Sequence, residues 1–296
     1  MKLNAALALP WLFGAVAVSA QTTPTPSPTP SPSRSEYVEV VATRVPEAPD
    51  EVPAAIDVLS GDELGDRGAT DLHGALGLLS GVDVAAGGDG GPAASVPEFW
   101  GLKEFDAFLL VVDGVPWGGA FNPALATLSL DDVERVEVLR GPAPVMYGAT
   151  SFVGVIHVVR RDPGDRRGSV GLAGGSYGSA AGQLAVGLPR GLGFDSRLSA
   201  DLGRERYSDD RAGFDRGHVL WRGSRALGGG RLRLDLDGTW LDQDPASPHP
   251  REGRELSSRV LLDANHNPAD AFLNERRFFV AAGYDHGLGR AGWSTT

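Results

Sequence analysis

The sequence predicts an α+β domain, with a small mixed sheet and short helices, followed by antiparallel β-strands of the kind that cross a membrane as a barrel. Short strand and helix patterns alternate between residues 45 and 164, whereas residues 165–296 show only strand-sized alternation of apolar and polar side chains. After residue 20 no apolar stretch reaches the roughly 18 residues that a membrane-spanning helix needs, so a helical membrane protein is excluded.

The composition of the 296-residue chain excludes several classes of function. Its formal net charge of −11 argues against a general nucleic-acid binder, and no nucleic-acid partner is expected. The absence of Cys excludes a disulfide scaffold, a Cys-ligated metal centre and a thiol nucleophile. Apart from one pair on a long loop, the six His show no ligand spacing, so neither a metal site nor a cofactor is predicted.

The N-terminus has the pattern of an export signal followed by a spacer. Residues 1–20 combine a basic start at Lys2, an apolar centre and the small-residue ending VSA, which predicts a cleaved signal peptide. Residues 21–35 alternate Pro with Thr and Ser, a composition typical of an extended linker. We therefore expect an exported protein whose functional part lies at the end of a tether.

Residues 36–44, EYVEVVATR, form a strand-prone segment between two Pro-containing stretches. The segment has no obvious pairing partner in its own neighbourhood. It is either the first strand of the following domain or a strand kept free to add to the sheet edge of another protein, which is β-augmentation.

Residues 45–164 alternate between strand and helix patterns. A capping box at Ser60–Glu63 predicts one helical turn, and Thr70 is predicted to cap a second helix whose Leu side chains share one face. The Asp113–Gly114 pair predicts a turn after a buried strand. Further helical turns are predicted after Ser129 and Pro142. Strands are predicted at 54–59, 82–84, 108–112, 135–139 and 153–159, with a Gly-rich loop at 85–95 and an aromatic loop at 116–122.

The later strands alternate apolar and charged residues. In Arg231–Leu241 the Leu and Trp side chains point to one side and the Arg and Asp side chains to the other, as a transmembrane β-strand requires. A water-soluble sandwich would give the same alternation with its polar face outward, but short turns at one end and longer loops at the other favour a barrel. Six strands are predicted, near 168–176, 180–188, 194–207, 214–227, 230–242 and 276–288.

Residues 130–163, LDDVERVEVLRGPAPVMYGATSFVGVIHVVRRDP, resemble the plug-domain signature of TonB-dependent outer-membrane receptors. That signature reads approximately I-E-R-I-E-V-L-R-G-P-x-S-x-L-Y-G-x-x-A-x-G-G-V-I-N-I-I-T. Residues 70–84 and 108–116 resemble two further segments of the family. Residues 36–44 stand where the family has its TonB box, which favours the free-strand interpretation.

The resemblance implies three groups of site residues. The sheet of TonB would pair with Glu36, Tyr37, Val38, Glu39 and Val40. The plug motif and its contacts with the barrel would involve Asp113, Gly114, Glu137, Arg140, Gly141, Pro142, Tyr147 and Gly148. The ligand would be faced by Asp89, Phe99, Trp100, Trp117, Phe121 and Asn122.

One departure affects the expected lock between plug and barrel. The family usually has Ile-Arg-Gly where this chain has Phe99-Trp100-Gly101, so one of two locking Arg residues is missing. Arg140 is the remaining one and is expected to meet a barrel carboxylate, because an unpaired buried charge is costly. Trp117 and Phe121 face the ligand or, alternatively, pack against the barrel wall.

The implied function is active uptake of a scarce ligand across the cell outer membrane, not catalysis. A ferric siderophore is the commonest ligand of the family, followed by cobalamin, another metal chelate or a glycan. The partners would be TonB with its inner-membrane complex, outer-membrane lipid and the ligand. The letters of Gly174–Gly178 match a nucleophile elbow, but the segment is predicted at a hairpin tip with no helix after it.

The number of strands conflicts with a complete receptor. Barrels that enclose a plug use about 22 strands, so six would be an incomplete barrel, and we expect a C-terminally truncated fragment. The alternatives are a stand-alone periplasmic plug-like binding or adaptor module and a non-functional gene fragment.

Overall fold

The structure, a computed structural model, describes residues 55–85, 96–99, 101, 108–117, 125, 128–141, 153–207, 213–244, 271–288 and 291–295. All of them lie in one compact unit. They form an N-terminal domain, which ends at Arg160, and a C-terminal sheet, which begins at Ser169. None of the described helices is long and apolar enough to cross a membrane.

The N-terminal domain is built on a mixed sheet. In chain order its elements are β1 (Ala55–Ser60), α1 (Gly61–Asp66), α2 (Leu72–Leu76), β2 (Val82–Ala85), β3 (Val96–Phe99), β4 (Phe108–Val112), β5 (Val115–Pro116), β6 (Val133–Arg140) and β7 (Gly154–Arg160). Five strands form one sheet in the order β1-β6-β7-β4-β5, in which only the β4–β7 pair is parallel. The strands β2 and β3 form a separate hairpin, and the sequence predicted neither β3 nor β5.

Side-chain caps set the start of both helices. Ser60 Oγ accepts a hydrogen bond from the Glu63 backbone N–H at 3.1 Å, as predicted for α1. The cap of α2 is Asp71 and not the predicted Thr70, because the Asp71 carboxylate accepts from the Gly74 N–H at 2.8 Å. The helix predicted after Ser129 is wrong, since Ser129 forms an extended bridge with Asp71 and the chain turns directly into β6.

The turn between β4 and β5 was predicted correctly. Asp113 and Gly114 both have positive φ, at 49° and 85°, and Val112 pairs with Val115 across them. Two left-handed residues in succession make the tight turn that matches the twist of a hairpin, and Asp and Gly tolerate that conformation best. This turn projects from the sheet toward the C-terminal part of the chain.

Apolar side chains cover both faces of the five-stranded sheet. On one face the helices contribute buried Leu64, Leu72 and Leu76 against Val136 and Ile156. On the other face Val111, Leu139 and Val155 form a smaller cluster. The domain therefore has a core of its own.

The C-terminal sheet is an antiparallel meander. Its strands are β8 (Ser169–Gly174), β9 (Ala180–Gly191), β10 (Phe194–Arg206), β11 (Gly213–Leu227), β12 (Gly230–Asp244), β13 (Leu273–Leu288) and β14 (Ala291–Thr295), each paired with the next. The six predicted strands are confirmed with small shifts of their ends, and β14 is a seventh that the sequence did not predict. The array is open, since β8 and β14 are its two edges among the described residues.

The two faces of this sheet have opposite chemistry. The exposed face carries apolar side chains, namely Val170, Leu172, Leu202, Val219, Leu236, Phe278 and Val280. The other face carries charged and polar side chains that are buried against the N-terminal domain, namely Arg197, Asp201, Arg216, His218, Arg222, Asp235 and Asp237. A water-soluble sandwich would expose the polar face, so this arrangement is the one expected of strands in lipid.

Candidate functional site

The candidate site is the buried polar interface between the N-terminal domain and strands β10, β11 and β12. At its centre is an ion pair between Arg160, at the end of β7, and Asp237 on β12. Arg160 Nη2 donates to Asp237 Oδ2 at 2.7 Å. The same carboxylate oxygen lies 3.1 Å from Nε2 of His218, whose Nδ1 is 3.1 Å from Asp201 Oδ2. The side chains of Arg160 and Asp237 are only 5% and 2% exposed. Four charged or polar groups from two domains therefore form one buried chain.

A second contact centres on Arg222 of β11. Its Nη2 lies 3.0 Å from Asp113 Oδ2, its Nε donates to Asp235 Oδ1 at 3.2 Å, and its Nη1 donates to the Arg161 carbonyl at 2.7 Å. Asp113 is fixed from within its own domain, because its Oδ1 accepts from the Arg160 backbone N–H at 2.9 Å. The 113–114 turn is thus held to the C-terminal sheet through a single guanidinium.

A third contact joins Arg197 of β10 to Asp132 through a buried ion pair. Nη1 of Arg197 also donates to the carbonyls of Asp165 and Arg167, at 3.1 and 2.6 Å, in the segment that connects the two domains. Burial raises the pKa of the Asp132 carboxyl above its usual value, although Arg197 lies against it and acts in the opposite direction. The pair is therefore deeply desolvated.

Two features flank these contacts. The Trp117 ring packs against Phe279 of β13 with centroids 4.5 Å apart, and the Arg160 guanidinium lies 5.1 Å from the Trp117 ring centroid. A cavity of about 470 Å³ separates α1 from the start of the C-terminal sheet. Its wall includes Asp131, whose pKa burial raises to about 6, with the nearby Asp201 charge as a second cause.

The structure places the predicted motif residues in different roles. Asp113 makes the contact between the domains described above. Gly141 has φ of 120° and donates its N–H to the Val153 carbonyl at 2.9 Å. Arg140 pairs with Asp57 of β1 and not with the barrel carboxylate that the resemblance implies. Because Ala55 lies opposite Arg140 in the β1–β6 pairing, the two charged side chains are diagonal neighbours on one face.

Glu137 and His157 form a polar pair inside the N-terminal domain. They lie directly opposite each other on β6 and β7, and Glu137 is fully buried. Arg135 Nε donates to Glu137 Oε1 at 2.8 Å, and His157 Nδ1 faces Glu137 Oε2 at 3.6 Å. Gly114 N–H donates to His157 Nε2 at 3.1 Å, so His157 links this pair to the 113–114 turn.

The described residues do not support the ligand-facing role of two aromatic side chains. Phe99 is fully buried in the core of the N-terminal domain, with its ring centroid 6.2 Å from that of Phe108. Trp117 is also buried, and its contact with Phe279 agrees with the alternative in which it packs against the barrel wall. The remaining predicted site residues lie outside the described residues: Glu36, Tyr37, Val38, Glu39, Val40, Asp89, Trp100, Phe121, Asn122, Pro142, Tyr147 and Gly148.

Sequence reasoning missed the partners in this interface. The alternation had placed Arg197, Asp201 and Asp237 on a polar face. The pairing of Arg160 with Asp237 spans 77 positions, and no local pattern predicts it. Ser176 lies in a short 3₁₀ turn, Ser176–Gly178, between β8 and β9, as predicted for a hairpin tip. Among the described residues no group of three or more His, Cys, Asp or Glu side chains is placed to hold a metal ion.

Comparison with known proteins agrees with this geometry. The family profile described as "TonB-dependent Receptor Plug Domain" matches residues 48–155. The vitamin B12 transporter BtuB of Vibrio vulnificus strain CMCP6 is 32% identical over 143 residues, which cover 46% of this chain and 22% of that protein. BtuB of Photobacterium profundum is 26% identical over 226 residues, which cover 70% of this chain and 36% of that protein.

Solved structures share the fold. The receptor FpvA of Pseudomonas aeruginosa, bound to a heterologous ferric pyoverdine, has a TM-score of 0.70 at 20% identity, covering 84% of this chain and 34% of that one. The closed form of the ferric-catecholate import receptor Fiu of Escherichia coli K12 has a TM-score of 0.70 at 18% identity, covering 86% and 38%. The chain thus spans about a fifth to two fifths of the length of these proteins.

Proposed function

We propose that this chain, whose residues 48–155 are a plug domain of the TonB-dependent receptor family, takes part in TonB-dependent uptake of a metal chelate across the outer membrane. The N-terminal domain is the plug, and the C-terminal sheet is part of the barrel wall. Ligand binding on the outer side would free the segment Glu36–Val40 to pair with TonB in the periplasm. Force transmitted through that pairing would then move the plug away from the wall.

The observation that carries the proposal is the polar face of the C-terminal sheet. That face is buried where Asp113, Asp132 and Arg160 of the N-terminal domain pair with it, while the opposite face exposes apolar side chains. A domain seated inside a membrane barrel requires this combination. A stand-alone periplasmic module would instead place its apolar face away from water.

We propose cobalamin or a ferric siderophore as the ligand, both of which are metal chelates. The vitamin B12 transporters among the sequence relatives favour cobalamin. The ferric-siderophore receptors among the structural neighbours resemble the chain in fold alone. Cobalamin is accordingly the first ligand to test.

The chain has no Cys, which allows a direct test of the pairing with TonB. Val38→Cys, in the segment Glu36–Val40, should form a disulfide with single-Cys variants of the periplasmic domain of TonB. Ser33→Cys, in the linker, is the matched control. We expect cross-linking of Val38→Cys to exceed that of the control and to increase when the transported ligand is added. Cyanocobalamin and ferric siderophores are added in separate experiments.

Two results would overturn the proposal. Equal cross-linking of Val38→Cys and Ser33→Cys would exclude a specific pairing with TonB. Recovery of the exported chain in the soluble periplasmic fraction without detergent would exclude insertion in the outer membrane and favour the stand-alone module. The ligand that raises cross-linking identifies the cargo.

A further inference from the structure

The turn between β9 and β10 exposes an unusual combination of side chains. Leu192 is 94% exposed at the tip of this turn and has a positive φ of 52°. A large apolar residue in a left-handed conformation is uncommon. In water this exposure has no benefit, whereas contact with lipid would remove the apolar surface from solvent.

Three Arg side chains surround the same turn with one carboxylate among them. Arg166 and Arg190, which are 54% and 59% exposed, lie 3.6 and 3.8 Å from Asp195. The exposed Arg225 donates to the Leu192 carbonyl at 3.3 Å and contacts no carboxylate among the described residues. The turn therefore carries a surplus of two positive charges.

The aromatic side chains below these Arg residues lie on the lipid-facing side of the sheet. The Phe194 and Trp221 rings pack with centroids 6.3 Å apart, and Trp221 lies opposite Leu198 in the β10–β11 pairing. The Arg225 guanidinium lies 6.0 Å from the Phe194 ring centroid. The Arg225 guanidinium therefore lies directly beside the end of the apolar face of the sheet.

The opposite end of these strands has a different charge balance. The described residues there include four Arg and five carboxylates, namely Arg204, Arg206, Arg276, Arg277, Glu205, Asp215, Asp242, Asp244 and Glu275. Arg276 pairs with Asp242 at 2.8 Å, and Arg204 pairs with Asp215 at 2.9 Å. The surplus of positive charge at the β9–β10 turn is therefore absent from the described residues at the opposite end of the strands.

We propose that the turn surface, formed by Arg190, Leu192, Phe194, Trp221 and Arg225, binds the headgroup phosphate of an anionic phospholipid. The Arg side chains would contact the phosphate, and Leu192 with the aromatic pair would contact the acyl chains. A soluble phosphate compound would use the charges but leave the adjoining apolar side chains in water, so both halves of the surface fit a lipid. The inference rests on insertion of the sheet in the membrane and is independent of TonB and of the transported ligand.

The leaflet follows from the turn lengths. The short turns after β9 and β11 lie at the end where the N-terminal domain passes into β8. Short turns are periplasmic in outer-membrane barrels, so the turn surface meets the inner leaflet, which supplies phospholipid. Each basic residue close to an anionic membrane surface strengthens binding by about fivefold, so removing two should weaken it roughly 30-fold.

Trp221 offers a local reporter of lipid contact. The full chain in detergent micelles is titrated with phosphatidylglycerol carrying brominated acyl chains, and separately with brominated phosphatidylcholine, while Trp fluorescence is recorded. We expect half-maximal quenching at a lower mole fraction of phosphatidylglycerol, and we expect Trp221→Phe to remove this difference. The double variant Arg190→Gln/Arg225→Gln should shift the phosphatidylglycerol titration by roughly 30-fold.

The control variant Arg204→Gln/Arg276→Gln removes the same charge from the opposite end of the strands. It should bind phosphatidylglycerol as the unchanged chain does, and far-UV circular dichroism should show that both double variants keep their β content. Equal weakening by the two double variants would overturn the proposal, since it would indicate attraction by net charge alone. Equal quenching by the two lipids, or full competition by millimolar inorganic phosphate, would also overturn it. Failure here with intact cross-linking of Val38→Cys to TonB would leave the proposed function standing.

Discussion

Asp237 is the residue whose loss should disturb the contact between plug and wall most. Its carboxylate lies between Arg160 of the plug and His218 of β11, and all three side chains are buried. Asp237→Asn preserves the shape of the side chain but removes its charge. Arg160 then stays buried without its ion-pair partner, and loss of one partner of a buried pair costs about 3 to 5 kcal/mol.

A double-mutant cycle separates this pair from general damage. We expect Arg160→Gln and Asp237→Asn each to lower the free energy of unfolding by about 3 kcal/mol, and the double variant to lower it by clearly less than the sum. The measurement is urea-induced unfolding of the full chain in lipid vesicles, followed by Trp fluorescence. A coupling energy of about 1.5 to 3 kcal/mol between the two positions is the expected result.

The chain contains a matched control in Arg231 and Asp162. This pair also joins β12 to the end of the plug, with a separation of 3.0 Å, but its side chains are 50% and 51% exposed. Exposed pairs contribute between about 0 and 1 kcal/mol, so Asp162→Asn should change stability little. Additive effects of Arg160→Gln and Asp237→Asn within about 0.5 kcal/mol would refute the argument that they act as one buried pair.

Three other predictions concern the plug. Burial raises the pKa of Asp131 to about 6, so the negative charge of this carboxyl is disfavoured in the folded state. The free energy of unfolding should therefore fall by about 3 kcal/mol as pH rises from about 4 to about 6. Thermal unfolding of Asp131→Asn should lack this loss. His157→Gln can place an amide oxygen near the position of Nε2, so it keeps an acceptor for Gly114 N–H and should stay within about 1 kcal/mol of the unchanged chain, whereas His157→Leu should cost about 1 to 3 kcal/mol in urea unfolding. Trp117→Ala should cost about 3 to 5 kcal/mol, because it empties a buried contact with Phe279, and Phe279→Ala should add little in its presence.

The strands of the fold could be predicted because their patterns are local. The alternation in Arg231–Leu241 placed Asp235 and Asp237 on the polar face, and both are buried there. The turn at Asp113–Gly114 followed from two residues that tolerate positive φ. The edge strand β14 and the short β5 escaped prediction, since pairing with a neighbouring strand and not their own sequence stabilises them.

Only one side of the site could be predicted from the sequence. Polar residues on the wall were identified, but their partners depend on how one domain docks on another. Arg140 is one example. The motif suggested a partner in the barrel, but the register between β1 and β6 places Asp57 next to Arg140, and the two form an ion pair. Phe99 is a second example. An aromatic residue beside a Gly-rich loop can face a ligand or enter the core, and here the contact with Phe108 holds Phe99 in the core.

A polar interface suits the proposed function, in which the plug leaves the wall. An apolar interface of the same size would hold the two parts together by the full hydrophobic energy of its area. Buried ion pairs behave differently: removing one partner is costly, but separating both partners into water returns hydration to each charge, so the net cost is small. In that proposed function the pairs Arg160–Asp237, Arg197–Asp132 and Arg222–Asp113 would fix the orientation of the plug at rest and still allow it to separate when water enters. On this argument, replacing both members of one pair by apolar residues of similar size should strengthen the contact, and it should slow the release of the plug under force.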